Sequence, residues 1–179
     1  MLNQRCSMMI DKYNLIPNTQ NGFREGRETS YCINTLISIV QKAKDDEASL
    51  HAIYIDFAKA FDSVPYWAIE HTLATMNFGN EFVSTIMQLF KDIYTQFKTA
   101  HGYTERVILK SGVRQGDVIS PTLFILGLVP LIWSLTNMDL EPLPTNDVTP
   151  ILTFADDTIL LASNKHDVQN IPGNNTVCN

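Results

Sequence analysis

Two segments of the chain end apolar, β-branched or aromatic runs in aspartate. One is Tyr54-Ile55-Asp56-Phe57, with Asp62 six positions after Asp56. The other is Phe154-Ala155-Asp156-Asp157, 100 residues further along. A carboxylate closing a buried strand is costly unless it is paired or metal-bound, and adjacent acids repel each other. A divalent cation would relieve both costs. Carboxylate oxygens are hard ligands that suit Mg²⁺, which binds through one or two acids plus substrate phosphates. Two such ions about 3.5–4 Å apart can activate a hydroxyl nucleophile and steady a leaving pyrophosphate. Taken singly, each segment reads as plain structure, Asp157-Thr158 as a polar turn and Asp56 as a cap on the next helix. Taken together, with what lies between them, they favour chemistry.

Between them lies Ser111-Gly112-Val113-Arg114-Gln115-Gly116-Asp117. Gly112 and Gly116 flank a loop where backbone can approach a ligand closely, and Gln115 offers a donor and an acceptor to a base or sugar edge. Glycine-rich entries to helices are common, so this loop alone decides little.

The elements that must position these residues are legible from pattern. Leu2–Tyr13 suits a short helix with Leu2, Cys6, Met9 and Ile10 on one face. Residues 16–26 read as loop. A long amphipathic helix is expected from Glu28-Thr29 to about Lys44, with Ile33, Leu36, Ile37 and Val40 on its buried side. Leu50–Phe57 reads as a buried strand ending in an acid. Helices are expected over 65–76 and 81–94, with Pro65 opening the first, then a β-hairpin over 97–109 around His101-Gly102. Residues 118–138 carry no charge, a length that would suit a membrane span. Ser120-Pro121 reads instead as the start of a helix buried in a core. A Pro/Asn/Thr-rich connection over 141–150 leads to Ile151–Ala155 and Ile159–Ala162, a hairpin with acids at its tip. No structure is assigned to 174–179. Trp67 and Trp133 fall on apolar helical faces and read as core, and the four histidines show no ligand spacing.

Composition bounds the rest. In 179 residues, 45% are hydrophobic and 18% charged, a globular balance that excludes collagen, coiled-coil and mucin-like classes. Net charge is −6 and the sequence pI near 5.1, which argues against a bare nucleic-acid sleeve. The charge is uneven, however: residues 1–44 carry six Lys/Arg against three Asp/Glu, and 139–179 one against six. Three cysteines, none in a C-x-x-C pair, fit a reducing intracellular setting, nucleus or cytoplasm.

The order Asp56-Phe57-Ala58-Lys59-Ala60-Phe61-Asp62, Gly112-x-x-Gln115-Gly116, Phe154-Ala155-Asp156-Asp157 resembles reverse transcriptases, above all those of non-LTR (LINE-type) retrotransposons, with group II intron proteins next. Asn21-Gly22-Phe23-Arg24-Glu25-Gly26-Arg27 is similar to their G-F-R-x-G-R element. The resemblance implies an α+β fold, a polymerase palm of antiparallel sheet packed on helices with part of the fingers. It implies RNA-directed DNA polymerase activity on an RNA template, a DNA primer and dNTPs, with two Mg²⁺ ions for which Mn²⁺ can substitute, and no membrane. By motif position Asp56, Asp156 and Asp157 are the catalytic acids, the Phe57 carbonyl adds a metal ligand, and Phe61 is an aromatic gate against a ribose 2′-OH. Gln115 and Gly116 meet the incoming nucleotide, and Arg24, Arg27 and Arg114 are candidates for template or primer phosphates.

The resemblance also implies parts that the chain is not expected to hold. The basic finger hairpin, the further palm motif and the helical thumb have no counterpart, so the expectation is a fragment. Its parts would be partial fingers over 1–45, palm over 46–165 and an unstructured or divergent tail over 166–179, the missing pieces coming from flanking sequence or a partner chain. The alternative is a catalytically inactive retroelement remnant, or a co-opted nucleic-acid or protein interaction module.

Overall fold

The computed structural model describes residues 2–138, 143 and 150–164. The expected connection at 141–150 lies almost wholly outside the described residues, and the tail at 166–179 entirely so. In chain order the elements are helices α1 (Leu2–Tyr13) and α2 (Thr29–Asp45), strand β1 (His51–Ile55), then α3 (Ala60–Ser63), α4 (Tyr66–Thr75) and α5 (Asn80–Gln88). Short strands β2 (Tyr94–Thr95), β3 (Lys98–Thr99), β4 (Gly102–Tyr103) and β5 (Val107–Ile108) follow, then α6 (Ser120–Thr136), β6 (Ile151–Phe154) and β7 (Asp157–Ala162). The fold is α+β, as expected. It divides into two compact units, each made of two separate stretches: Met1–Ile16 with Ala58–Leu131, and Pro17–Phe57 with Ile132–Asn179.

The unit containing the paired acids is built on an antiparallel sheet of order β1-β7-β6. The central strand β7 pairs Ala162 with His51 and Thr158 with Ile55 on one side, and Leu160 with Ile151 and Asp157 with Phe154 on the other. Leu160, Leu161 and Ala162 are fully buried. Helix α2 covers one face, where Ile39 packs with Leu143 and Leu161, flanked by Leu36, Leu50 and Ile159.

Two expectations fail in this unit. Ile33, Ile37 and Val40 are exposed; α2 buries Ile39 and Ala43 instead, and of the four residues expected inside only Leu36 packs on the core. Both sets have helical spacing, so periodicity finds two apolar stripes and cannot choose between them. Strand β1 is not fully buried either: exposure alternates along it, and Tyr54 is 71% exposed. Successive side chains point to opposite faces of the strand, and one face of this antiparallel sheet meets solvent there.

The other unit is mainly helical. Ala68, Ile69, Thr72 and Leu73 of α4 and Ile86 of α5 are buried, and the Tyr66 and Phe90 rings stack at 4.4 Å. Trp67 was expected in this core but is 64% exposed, because α4 presents the 68/69/72/73 face inward. Helix α5 ends earlier than expected, since Tyr94 is drawn into a ladder opposite Ile108. Helix α6 is the apolar segment read as a buried helix. Leu123 to Leu126 and Val129 are buried around it, and Gly127 lies directly against the Val64 side chain. The Thr122 hydroxyl donates to Asn3 Oδ1 at 2.8 Å and so ties α6 to α1. Among the described residues no helix is long and apolar enough to cross a membrane.

Candidate active site

The ladder decides where the acids fall. Ile55 faces Thr158, so Asp56 and Asp157 are the next residues at that end of the two strands. Phe154 faces Asp157, leaving Ala155 and Asp156 as the two turn residues of the β6–β7 hairpin. Asp56, Asp156 and Asp157 therefore share one end of one sheet, although 100 positions separate the first two.

The hairpin turn is held from outside. Ala155 has φ +57°, a left-handed conformation that costs a non-glycine residue roughly 1 kcal/mol. The fully buried Gln20 amide offsets that cost. Its Oε1 accepts from Ala155 N at 2.9 Å and from Gly22 N at 2.7 Å, while its Nε2 donates to Ala155 O at 3.0 Å. On either side of it, Thr153 N donates to Thr19 O and Asn21 N to Thr153 O, a short parallel addition to β6. Gly22 is obligatory for a steric reason: a Cβ there would run into the Ala155 backbone. Arg24 and Arg27, candidates for phosphate contact, are half-buried in this loop. Arg24 Nη1 donates to Pro17 O and Gln20 O. Arg27 bonds Asn21 Oδ1 at 2.9 Å and both oxygens of Asn18. Sequence reading passed over Gln20, since a single amide in a loop carries no periodic signal. Its adjacency to the G-F-R-x-G-R element was the only pointer.

The acids are less buried than expected. Asp56 and Asp157 are exposed and Asp156 is half-buried, so relief of a burial cost is not what brings them together. Among the described residues none of the three has a hydrogen-bonding or ion-pair partner for its carboxylate, and no group of three His, Cys, Asp or Glu lies close enough to hold a metal. The donors nevertheless fit a hard divalent cation: carboxylate oxygens, uncommitted to other partners, with the Phe57 carbonyl next in the chain.

The other candidates lie in the mainly helical unit. Phe61 stacks on Phe124 with centroids 4.7 Å apart and planes 3° from parallel. Its carbonyl accepts from Val113 N at 2.8 Å, and Gly112 N donates to Val64 O at 2.8 Å. Gly112 has φ +96°, and a Cβ would lie 2.9 Å from the Asp62 backbone. The close approach expected of this glycine is thus made to the 61–64 backbone. Gln115 and Gly116 are exposed beyond it, as is Arg114. Burial pushes the Tyr66 hydroxyl upward in pKa, and the Arg114 charge pulls it back. That hydroxyl donates to Ser111 O at 3.1 Å.

Residues 1–173 match the family described as reverse transcriptase (RNA-dependent DNA polymerase). The chain is 31% identical over 125 residues to a Pol polyprotein from the type-1 retrotransposable element R2 of Popillia japonica, a match covering 67% of this chain and 20% of that protein. It is 25% identical over 168 residues to the probable RNA-directed DNA polymerase from transposon BS of Drosophila melanogaster, covering 91% and 17%. The chain thus spans about a fifth of the length of these relatives. Among solved structures, the telomerase of Candida tropicalis in complex with the TWJ fragment of telomeric RNA superposes with TM-score 0.64 at 15% identity, covering 94% of this chain and 29% of that one.

Proposed function

The chain belongs to the reverse transcriptase (RNA-dependent DNA polymerase) family, and from that premise we propose that it is the palm of an RNA-directed DNA polymerase of the non-LTR retrotransposon kind, with its nucleotidyl-transfer centre at the end of the β1-β7-β6 sheet. One observation carries the reading: β1 ends at Ile55 opposite Thr158, so Asp56 and Asp157 are the next residues at that end of the two strands, beside the turn that bears Asp156. These three carboxylates and the Phe57 carbonyl are the groups that would hold two Mg²⁺, or Mn²⁺ in their place. When bound, the ions would supply an activated primer 3′-hydroxyl and neutralise charge at the leaving pyrophosphate.

The chain's own contribution is positioning. Gln20 fixes the turn that presents Asp156. Phe61, its ring braced on Phe124, is proposed as the gate that excludes a ribose 2′-OH, and Gln115 and Gly116 as contacts of the incoming nucleotide. Arg114 is proposed for template or primer phosphate. Arg24 and Arg27 could add such contacts only with donors that the loop leaves over. In polymerase terms residues 1–45 would serve as part of the fingers and 46–165 as the palm. An RNA template and DNA primer would be gripped with help from further sequence or a partner chain, in the nucleus or cytoplasm.

Primer extension on an RNA template with Mg²⁺ and dNTPs tests this. Asp156→Asn should abolish extension while leaving the circular dichroism spectrum unchanged, and equal extension by that variant would refute the assignment. Phe61→Ala should increase ribonucleotide incorporation. A second reading, a non-catalytic module that keeps the fold, is favoured by the absence of a closed three-ligand group among the described residues. A folded chain that makes no DNA with either Mg²⁺ or Mn²⁺ would establish it.

A further inference from the structure

We propose that one face of the β-ribbon between Tyr94 and Ile108 binds single-stranded nucleic acid, by stacking bases on Tyr94 and Tyr103 and holding phosphates with Lys98 and Arg106. Tyr94 faces Ile108 in the outer ladder, and Lys98 faces Tyr103 in the inner one. Between the two ladders one strand supplies Gln96 and Phe97 while the other supplies Thr104, Glu105 and Arg106, so the return strand holds one extra residue, a β-bulge. Tyr94 shares a side with Ile108 in one ladder and Lys98 with Tyr103 in the other; carrying the two-residue period through Gln96 and Phe97 sets both pairs on one side. Arg106 joins them, its guanidinium 4.3 Å from the Tyr94 ring centroid.

This face is open and cationic. Tyr94 and Tyr103 are 44% and 69% exposed, and every residue from 96 to 110 is exposed. Neither Lys98 nor Arg106 has an ion-pair partner among the described residues. Residues 91–110 carry four Lys/Arg against two Asp/Glu in a chain whose net charge is −6. An apolar protein partner would have no use for the cations, and a purely electrostatic one none for the rings. A strand with both bases and phosphates uses both. Tyr94 and Tyr103 are separated along the ribbon by about 13 Å, roughly four stacked bases at 3.4 Å each. The site needs no metal and no turnover, so its success or failure is separable from that of the polymerase reading.

Fluorescence anisotropy of labelled dT₁₂ and U₁₂ with the 179-residue chain, in EDTA and over a salt series, tests it. The wild type should bind. The Tyr94→Ala/Tyr103→Ala variant should bind at least about tenfold more weakly. The Lys98→Gln/Arg106→Gln variant should lower the log–log salt slope by about 0.7 for each phosphate no longer neutralised. Circular dichroism should show both ribbon variants folded. Wild-type affinity retained by both ribbon variants would overturn the proposal, as would no binding by the wild type. A chain that ignores the oligonucleotides, elutes as a dimer and becomes monomeric in the tyrosine variant would also overturn it, marking the ribbon as a self-pairing edge.

Discussion

Gln20 does for the β6–β7 turn what no residue within the turn could do. Ala155 has no side chain with which to stabilise its left-handed φ, so an amide 135 positions away in the chain satisfies both its N–H and its carbonyl. Gln20→Ala would strand buried donors at Ala155 and Gly22, at about 1–3 kcal/mol each. The expected outcome is a urea midpoint lower by about 1–3 M, taking an m-value near 2 kcal/mol/M. Cys6 offers a second test at this scale. It is wholly buried, and burial pushes its thiol up to about 12. The Cys32 thiol is also raised by burial but is only half-buried, with Asn21 and Arg27 pulling it back. In the folded chain iodoacetamide should therefore modify Cys32 before Cys6, which should react only on unfolding; peptide mass mapping would show the order. The aspartates were legible because their types and order are unusual. Gln20 was not, because its role exists only once Thr19–Asn21 lies beside β6.

At the scale of elements, the sequence located nearly every helix and strand and misjudged which sides face inward. The hairpin with acids at its tip, the buried α6 and the end of α2 follow from apolar runs, Pro121 and the break at Asp45–Glu47. The inward side of α2 did not follow, because its true core contact uses Ile39 and Ala43 while Ile33, Ile37 and Val40, equally apolar, sit outside. Ile37→Lys should change unfolding free energy by no more than about 0.5 kcal/mol, whereas Ile39→Ala should cost about 2–5 kcal/mol. Thermal melts of the pair would decide between the two faces. The four-residue α3 escaped notice, being too short to show a period.

For the molecule as a whole, charge and proton balance give a further expectation. The native Cys6 thiol keeps its proton up to about pH 12, while in the unfolded chain it is lost near 9.0. Between those values the native state binds more protons, so stability is intact below pH 9 and falls as pH rises, by up to about 1.4 kcal/mol per pH unit from this one group. Cys6→Ala should flatten that decline in urea titrations at pH 8, 9 and 10. The family relation was legible because four motifs occur in fixed order. The division into two units was not, since each unit is assembled from stretches separated by the other.

That interleaving bears on how the protein is made. The partner of β1 is β7, so a chain emerging from the ribosome carries an unsatisfied strand edge for about a hundred residues before its mate is synthesised. Non-local pairing of this kind is slow and leaves nascent protein open to misassembly. A chain truncated before residue 157 would hold β1 and β6 without the strand that pairs with both, and the demand for chaperones during translation should peak just before β7 emerges.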